Sequence, residues 1–284
     1  MFQLVHAERA HFPVAFCCRV LGVSRSGYYR WTQAARSARS QVDARLGHEI
    51  KAIYRQHKGR YGSPRIHEQL HFQGVRVGRK RVARLMREQG LRGWIRRRYR
   101  RTTDSHHSHR IAPNLLQRNF TQSSPNRAWV GDMTYVPTRE GWLYLAVLLD
   151  LYSRRVVGWF MSDTIDTELA LQALHMAAKS RKPAPGLIHH TDRDCRYASD
   201  DYQAALRSYG FVPSMSRKAD CWDNAVAESF FATLEKELLD HAPLQSRAKT
   251  RRDIADYIDN YYNTNRRHSR LAYRTPLEYE MALS

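Results

Sequence analysis

Along the first third of the chain, apolar residues recur at helical spacing with turn residues between the runs. "VAFCCRVLGVSRSGYYRW" reads as an apolar helix, a break at Gly22, and Ser24 as N-cap of a second, shorter helix. That is the outline of a helix-turn-helix, and "AARSARSQ" follows it as a connector. "ARLGHEIKAIYRQH" is an amphipathic helix ended by "RYGSP", where Ser63 is expected to cap the next helix with Pro64 at its first position. After "FQGVRVG" comes "RKRVARLMREQG". Here Val82, Leu85 and Met86 share one face and Arg79, Lys80, Arg84 and Arg87 the other.

The period changes after "SSPN" at 123–126. "AWVGDMTYVPT", "GWLYLAVLLD" and "RRVVGWFMSD" are three strand-like runs joined at hairpin length by "REG" and "LYSR". A helix at about 166–179, a short strand in "LIHHTD", a helix at 199–209, a short strand in "FVPSMS" and a long helix from near Trp222 follow. Three antiparallel strands and then alternating helix and strand predict a sheet antiparallel on one side and parallel on the other. The tail adds a helix at about 249–263 and a capping box of Thr275 and Glu278, with Pro276 at the first helical position.

Charge sharpens this division. The net charge is +20, and it is unevenly spread: residues 1–120 hold 26 Lys and Arg against 6 Asp and Glu, whereas residues 121–284 hold 21 of each. A strongly basic part joined to a balanced part points to polyanion binding coupled to a second activity. The basic face of the third helix in 43–98 has what entry into a DNA major groove requires, namely phosphate neutralisation and side chains that reach guanine edges. "IRRRYRRTTDSHHSHR", with Arg96, Arg97 and Arg98, suits a linker lying along a phosphate backbone. The four cysteines show no CxxC spacing, so neither structural zinc nor a disulfide framework is indicated. The start lacks signal-peptide character, and the longest apolar run, "WLYLAVLL", is too short to span a membrane. A cytoplasmic, nucleoid-associated protein is expected.

Three carboxylates then draw attention. Asp132 interrupts a β-forming run, Asp192 directly follows the strand "LIHH", and Glu228 lies on the long helix within "DNAVAESFF". Taken singly each has an ordinary explanation: Asp132 could accept a backbone bond, Asp192 could cap a turn, and Glu228 shares a polar stripe with Asn224 and Glu235. Together they can converge beside the sheet as a hard-oxygen site for Mg²⁺ or Mn²⁺. Two such ions roughly 4 Å apart support in-line phosphoryl transfer to water or a 3′-hydroxyl. Asp150 and Asp223 compete for the same role, although Asp150, at a hairpin, is the natural turn cap.

At this point the chain resembles the DDE transposases of bacterial insertion sequences, specifically the OrfB-type subunit with a retroviral-integrase-like core. The resemblance rests on "RAWVGDMTYVPT", "YLAVLLDLYSRRVVGW", "HHTDRDCRYAS", "SRKADCWDNAVAESFFATLEKE" and "YNTNRRHSRLAYRTPLEYE", with residues 43–98 similar to the family's helix-turn-helix module. It implies an α/β fold: an RNase H-like mixed five-stranded sheet with flanking helices, preceded by an all-α helix-turn-helix DNA-binding region. Asp132, Asp192 and Glu228 are implied as catalytic triad and ligands of two Mg²⁺ or Mn²⁺ ions, with 35 residues between the last two. Three departures stand out. Asp194 replaces the usual Gly after the second Asp, Asp220 replaces the usual Asn, and Glu235 occupies a position commonly basic, with Lys236 one residue on.

The expected organisation is an N-terminal helix-turn-helix-like segment at 1–40, a helix-turn-helix DNA-binding domain at 43–98, a basic linker at 99–125, the integrase core at 126–243 and a C-terminal helical extension at 244–284. DNA contacts are expected from Arg79, Lys80, Arg84, Arg87, Arg96, Arg97, Arg98, Asn224 and Lys236. The function implied is cleavage and strand transfer at the element's ends, by a homo-oligomer on terminal inverted repeats and target DNA, fused to or assisted by an upstream OrfA-type product. The alternative is a catalytically silent DNA-binding regulator, and a structure-selective nuclease of the same fold is a third reading.

Overall fold

Strand formation over residues 128–162 follows from runs of Val, Leu, Trp and Tyr whose alternate side chains serve two different cores. A computed structural model describes residues 1–33, 38–94, 110–217, 221–240 and 243–282. Arg96, Arg97, Arg98, the His106–His109 run and Asp220 lie outside the described residues. The chain divides into two units, Met1–Gly93 and Trp94–Ser284.

The second unit is built on a five-stranded sheet of β1 (Ala128–Thr138), β2 (Gly141–Asp150), β3 (Val156–Ser162), β4 (Ile188–Thr191) and β5 (Val212–Met215), in the order β3-β2-β1-β4-β5. β1–β2 and β2–β3 are antiparallel, whereas β1–β4 and β4–β5 are parallel. This is the mixed five-stranded sheet expected from the sequence, antiparallel on one side and parallel on the other. Because side chains alternate across a strand, Ala128, Val130 and Val136 of β1 enter one core with Val147 and Leu149 of β2, while Trp129 enters the other with Ala146 and Leu148. The second face is covered by α7 (Thr167–Arg181), α8 (Cys195–Ala198) and α9 (Asp200–Ser208). The first is covered by α10 (Ala225–Leu234), preceded by a 3₁₀ turn at Cys221–Asn224 and continued as a π-helix at Glu235–Leu239. Against it pack α11 (Arg247–Asp256) and a π-helical turn at Tyr257–Tyr262.

α7 can lie close on the sheet because it presents Ala173 and Ala177 to Gly158 of β3. A β-carbon at Gly158 would strike the Ala173 carbonyl and the Ala177 β-carbon. The C-terminal extension is tied down by buried charge. Glu237 accepts from Arg266 Nε at 3.0 Å and from the Tyr257 hydroxyl at 2.9 Å. α12 (Pro276–Met281) starts with the Thr275–Glu278 capping box, and its Glu280 binds Ser153, Arg155 and Arg181.

The first unit contains two three-helix groups. α1 (Phe2–Glu8), α2 (Val14–Val20) and α3 (Arg25–Gln33) close over Val5, Cys17, Cys18 and Tyr28. α4 (Ala38–Gln56), α5 (Ser63–Phe72) and α6 (Arg79–Glu88) close over Ile50, Tyr61, Ile66, Leu70 and Val82. Ser24 caps α3 as expected, accepting from the Gly27 N–H at 3.0 Å. Ser63 does not cap α5. The helix starts at Ser63 itself, with Gly62 as N-cap and no side-chain bond, so the carbonyl of Gly62 receives the first helical N–H, from Ile66. Among the described residues no helix is long and apolar enough to cross a membrane.

Candidate active site

Asp132 is the fifth residue of β1, on the face that carries Val130 and Val136 and receives α10. The parallel register pairs Ala128 with Ile188 and Val130 with His190. Continued two residues past its last pair, that register would set Asp132 level with Asp192, which directly follows the last residue of β4. Gly131 keeps this approach open, since a β-carbon there would stand 3.2 Å from the His189 ring and 3.4 Å from Thr191 Cγ2. Glu228 is half-buried on the first turn of α10, whose Ala227, Phe230, Phe231 and Leu234 anchor the helix in the core. Sheet edge and helix thus place Asp192 and Glu228 within electrostatic reach of Asp132.

Burial pushes the Asp132 carboxyl well above the usual carboxylate range, the charge of Asp192 pushes it further, and Glu228 and Asp194 add to the effect. The Met133 N–H, donating to Asp132 Oδ1 at 2.8 Å, opposes them. Asp192 Oδ1 accepts the Asp194 N–H at 3.1 Å. Among the described residues no group of three or more His, Cys, Asp or Glu side chains is already drawn together to hold a metal ion. The donors are all carboxylate oxygens with crowded like charge, a set whose chemistry fits a hard divalent cation and not zinc.

Asp194, the departure from the family pattern, is not loose in the site. Its Oδ1 caps α8 through the Arg196 N–H at 3.0 Å, and both its oxygens are held by the Arg196 guanidinium, at 2.6 and 2.9 Å. Asp223 is likewise occupied. It is buried and accepts from Asn114, Arg118 and Arg217, which hold its carboxyl well below the usual range, Arg217 foremost. Asp150 caps the β2–β3 turn, accepting from the Tyr152 and Ser153 N–H groups and from Asn126 N–H. Both rivals for the site therefore have structural partners.

Beneath the strand end lies a buried group that the sequence pattern did not single out. His189 Nε2 bonds the Tyr202 hydroxyl at 2.8 Å, and burial lowers the His189 pKa to about 3 and that of His190 to about 4. Both are neutral core histidines at pH 7. Tyr197 packs edge-on against Tyr202 and feels the charges of Asp132, Asp192 and Asp194.

The predicted DNA contacts distribute differently. On α6, Arg79, Lys80 and Arg87 are exposed and Arg84 is half-buried. Arg79 is paired with Glu68 at 3.1 Å, while Arg84 binds Asp43 at 2.6 Å and Glu88 at 2.7 Å. Arg81, which the helical face reading passed over, also bonds Asp43. Asn224 is buried at the N-cap of α10, and its Oδ1 has no hydrogen-bond partner among the described residues. That position is interior, not a surface available to duplex DNA. Lys236 is half-buried where α10 turns π-helical.

With this geometry described, comparison with known proteins is direct. Families described as "Integrase core domain" match residues 122–221 and 209–276, and one described as "HTH-like domain" matches residues 41–99. The insertion element IS600 uncharacterized 31 kDa protein of Shigella sonnei is 45% identical over 91% of this chain and 95% of its own. The transposase for insertion sequence element IS904 of Lactococcus lactis is 43% identical over 86% of this chain and 97% of its own. The transposase InsF for insertion sequence IS3A of Escherichia coli K12 is 40% identical over 98% of each chain.

Proposed function

The chain belongs to the insertion-sequence transposases with an integrase core, and on that premise we propose that it cleaves and joins DNA strands at the ends of its own element, using Asp132, Asp192 and Glu228. The observation that carries this reading is the placement of half-buried Asp132 on β1, Asp192 directly after β4 and Glu228 on the first turn of α10, with the charges of the latter two raising the Asp132 carboxyl pKa.

In this reading Asp132 on β1 and Asp192 after β4 would hold the divalent cations, and Glu228 would complete the set from the helix. Two bound Mg²⁺ or Mn²⁺ ions supply activation of the attacking oxygen and stabilisation of the leaving one. The protein's own part is positioning. β1 and β4 fix two ligands on a rigid sheet, and Met133 N–H orients Asp132. Asn224, buried one turn before Glu228 with an acceptor unbonded among the described residues, orients the ligand set from within. Water or a DNA 3′-hydroxyl is the attacking group.

Residues 43–98, with Lys80 and Arg87 exposed on α6, grip the terminal repeats, and Lys236 contacts DNA near the site. Arg79, Arg84 and the arginines Arg96, Arg97 and Arg98 add phosphate contacts. A homo-oligomer on two ends, assisted by an upstream OrfA-type product and acting in the cytoplasm on nucleoid DNA, completes the proposal. The silent-regulator alternative draws on Asp194 and Glu235; the Arg196 pairing of Asp194 weakens the first of these.

The test is mobilisation in cells. A marker flanked by the repeats that border the gene is supplied with the chain and its upstream reading frame. Excision and rejoined products are expected with the wild type and are expected to vanish with Asp192→Asn. Products that persist in that variant would remove Asp192 from the chemistry.

A further inference from the structure

The three short helices at the N-terminus lie outside the matched HTH-like domain and serve none of the roles above. Their geometry is specific. α2 ends in a Schellman closure: Gly22, at φ +66°, donates to Arg19 O at 3.3 Å and Val23 N–H to Cys18 O at 2.9 Å. A four-residue turn, 21–24, then leads to α3, capped by Ser24. Two helices joined by a tight, Gly-containing turn of this length form the frame of a DNA-reading helix-turn-helix.

α3 has a clear inside. Gly27 meets Phe2, and a β-carbon there would stand 3.0 Å from its ring. Tyr28 is buried, and Trp31 packs on Phe2 and His6. With about 100° per residue, the opposite face carries Ser26, Tyr29, Arg30 and Gln33, with Arg25 at its edge, and all five are exposed. From Arg9 to Val42 the sequence contains no Asp or Glu. Among the described residues, Arg25 and Arg30 form no ion pair. This contrasts with α6, where Arg79, Arg81 and Arg84 are engaged by carboxylates.

We propose that α3 is a second DNA-reading helix, placed in a major groove with Tyr29, Arg30 and Gln33 on base edges and Arg25 on phosphate. Arg and Gln are the side chains that read guanine and adenine bidentately, and an acid-free surface lets them approach a polyanion without repulsion. The chain thereby carries two base-reading modules, one at 1–33 and one at 43–98.

Binding of the full chain is measured in EDTA, so no strand chemistry is needed and an inactive core leaves the result readable. The probes are a labelled duplex carrying the repeats that flank the gene and a scrambled duplex of equal composition. Tyr29→Ala with Arg30→Ala is expected to weaken repeat binding about tenfold or more, to change scrambled binding much less, and to remove part of the footprint while thermal unfolding stays unchanged. Arg25→Lys with Arg30→Lys keeps the charge and is expected to keep scrambled binding while losing preference for the repeat. Unchanged affinity and footprint in the first variant overturns the proposal. So does an altered association state with DNA binding intact, which makes this face a protein contact, or full preference retained by the Lys variant, which leaves only phosphate contact.

Discussion

Asp223 illustrates how a carboxylate can sit beside a reactive site and yet belong to the scaffold. Asn114, Arg118 and Arg217 converge on its two buried oxygens, and the last of these holds its carboxyl well below the ordinary value. A depressed folded-state pKa stabilises the fold fully above the unfolded value of about 4. That contribution is lost as pH falls below it toward the folded value. Asp223→Asn is expected to lose about 1.5–3 kcal/mol at pH 7, and its melting temperature should fall less steeply on acidification than the wild type's. Parallel acid limbs in the two proteins would show that Asp223 is not linked to folding. Asp194 yields a sharper case, because its pairing with Arg196 is largely shielded from solvent. Arg196→Ala leaves a buried uncompensated charge and is expected to cost about 3–5 kcal/mol, with Asp194→Asn in the same chain recovering most of it. A double-mutant cycle by chemical denaturation measures this directly.

Among the elements, α7 depends on closeness and α10 on anchoring. Gly158→Ala drives a methyl group into the α7 backbone and is expected to destabilise the second unit by about 1–3 kcal/mol, read as a lower denaturation midpoint. Arg266→Met removes the guanidinium that bonds buried Glu237, loosening the π-helical end of the segment that begins with Glu228's helix. Lower thermal stability and lower strand-joining activity are expected together, although Arg266 touches no proposed ligand. What was legible in the sequence follows the same physics. The three long strands declared themselves by continuous β-branched and aromatic runs, and the Thr275 box by its spacing. α8 escaped because four residues are too few for a period, and its start is set by Asp194. The π-helical turns escaped because an i, i+3, i+4 apolar pattern does not distinguish them from α-helix. Ser63 was misplaced by one residue because Gly62 supplied the cap from its backbone. The Arg81–Asp43 and Arg266–Glu237 pairs join residues far apart in sequence, so no local pattern announced them. The grouping of Asp132, Asp192 and Glu228 was suggested by their places on strand, strand end and helix, and singled out as a triad by the resemblance to the family's motifs. Strand alternation and register supply its physical reason.

For the molecule as a whole, the basic excess lies before residue 121, whereas the acids proposed for catalysis lie beyond it. DNA affinity should therefore be dominated by counterion release, falling about 10³-fold or more between 50 and 200 mM salt if six or more phosphates are neutralised. Lys80→Ala with Arg87→Ala should flatten that slope by about two, and an unaltered slope would exclude α6 from the phosphate contacts. The central claim, that these three carboxylates carry metal-dependent strand transfer, is tested most directly with the purified chain. Labelled DNA ending in the element's repeat is incubated with Mg²⁺ or Mn²⁺, alongside an Asp132→Asn, Glu228→Gln double variant and, where needed, the upstream product. Strand-specific cleavage and joining by the wild type, abolished in the variant while repeat binding persists, is the predicted result. Equal cleavage and joining by the two proteins would contradict the assignment.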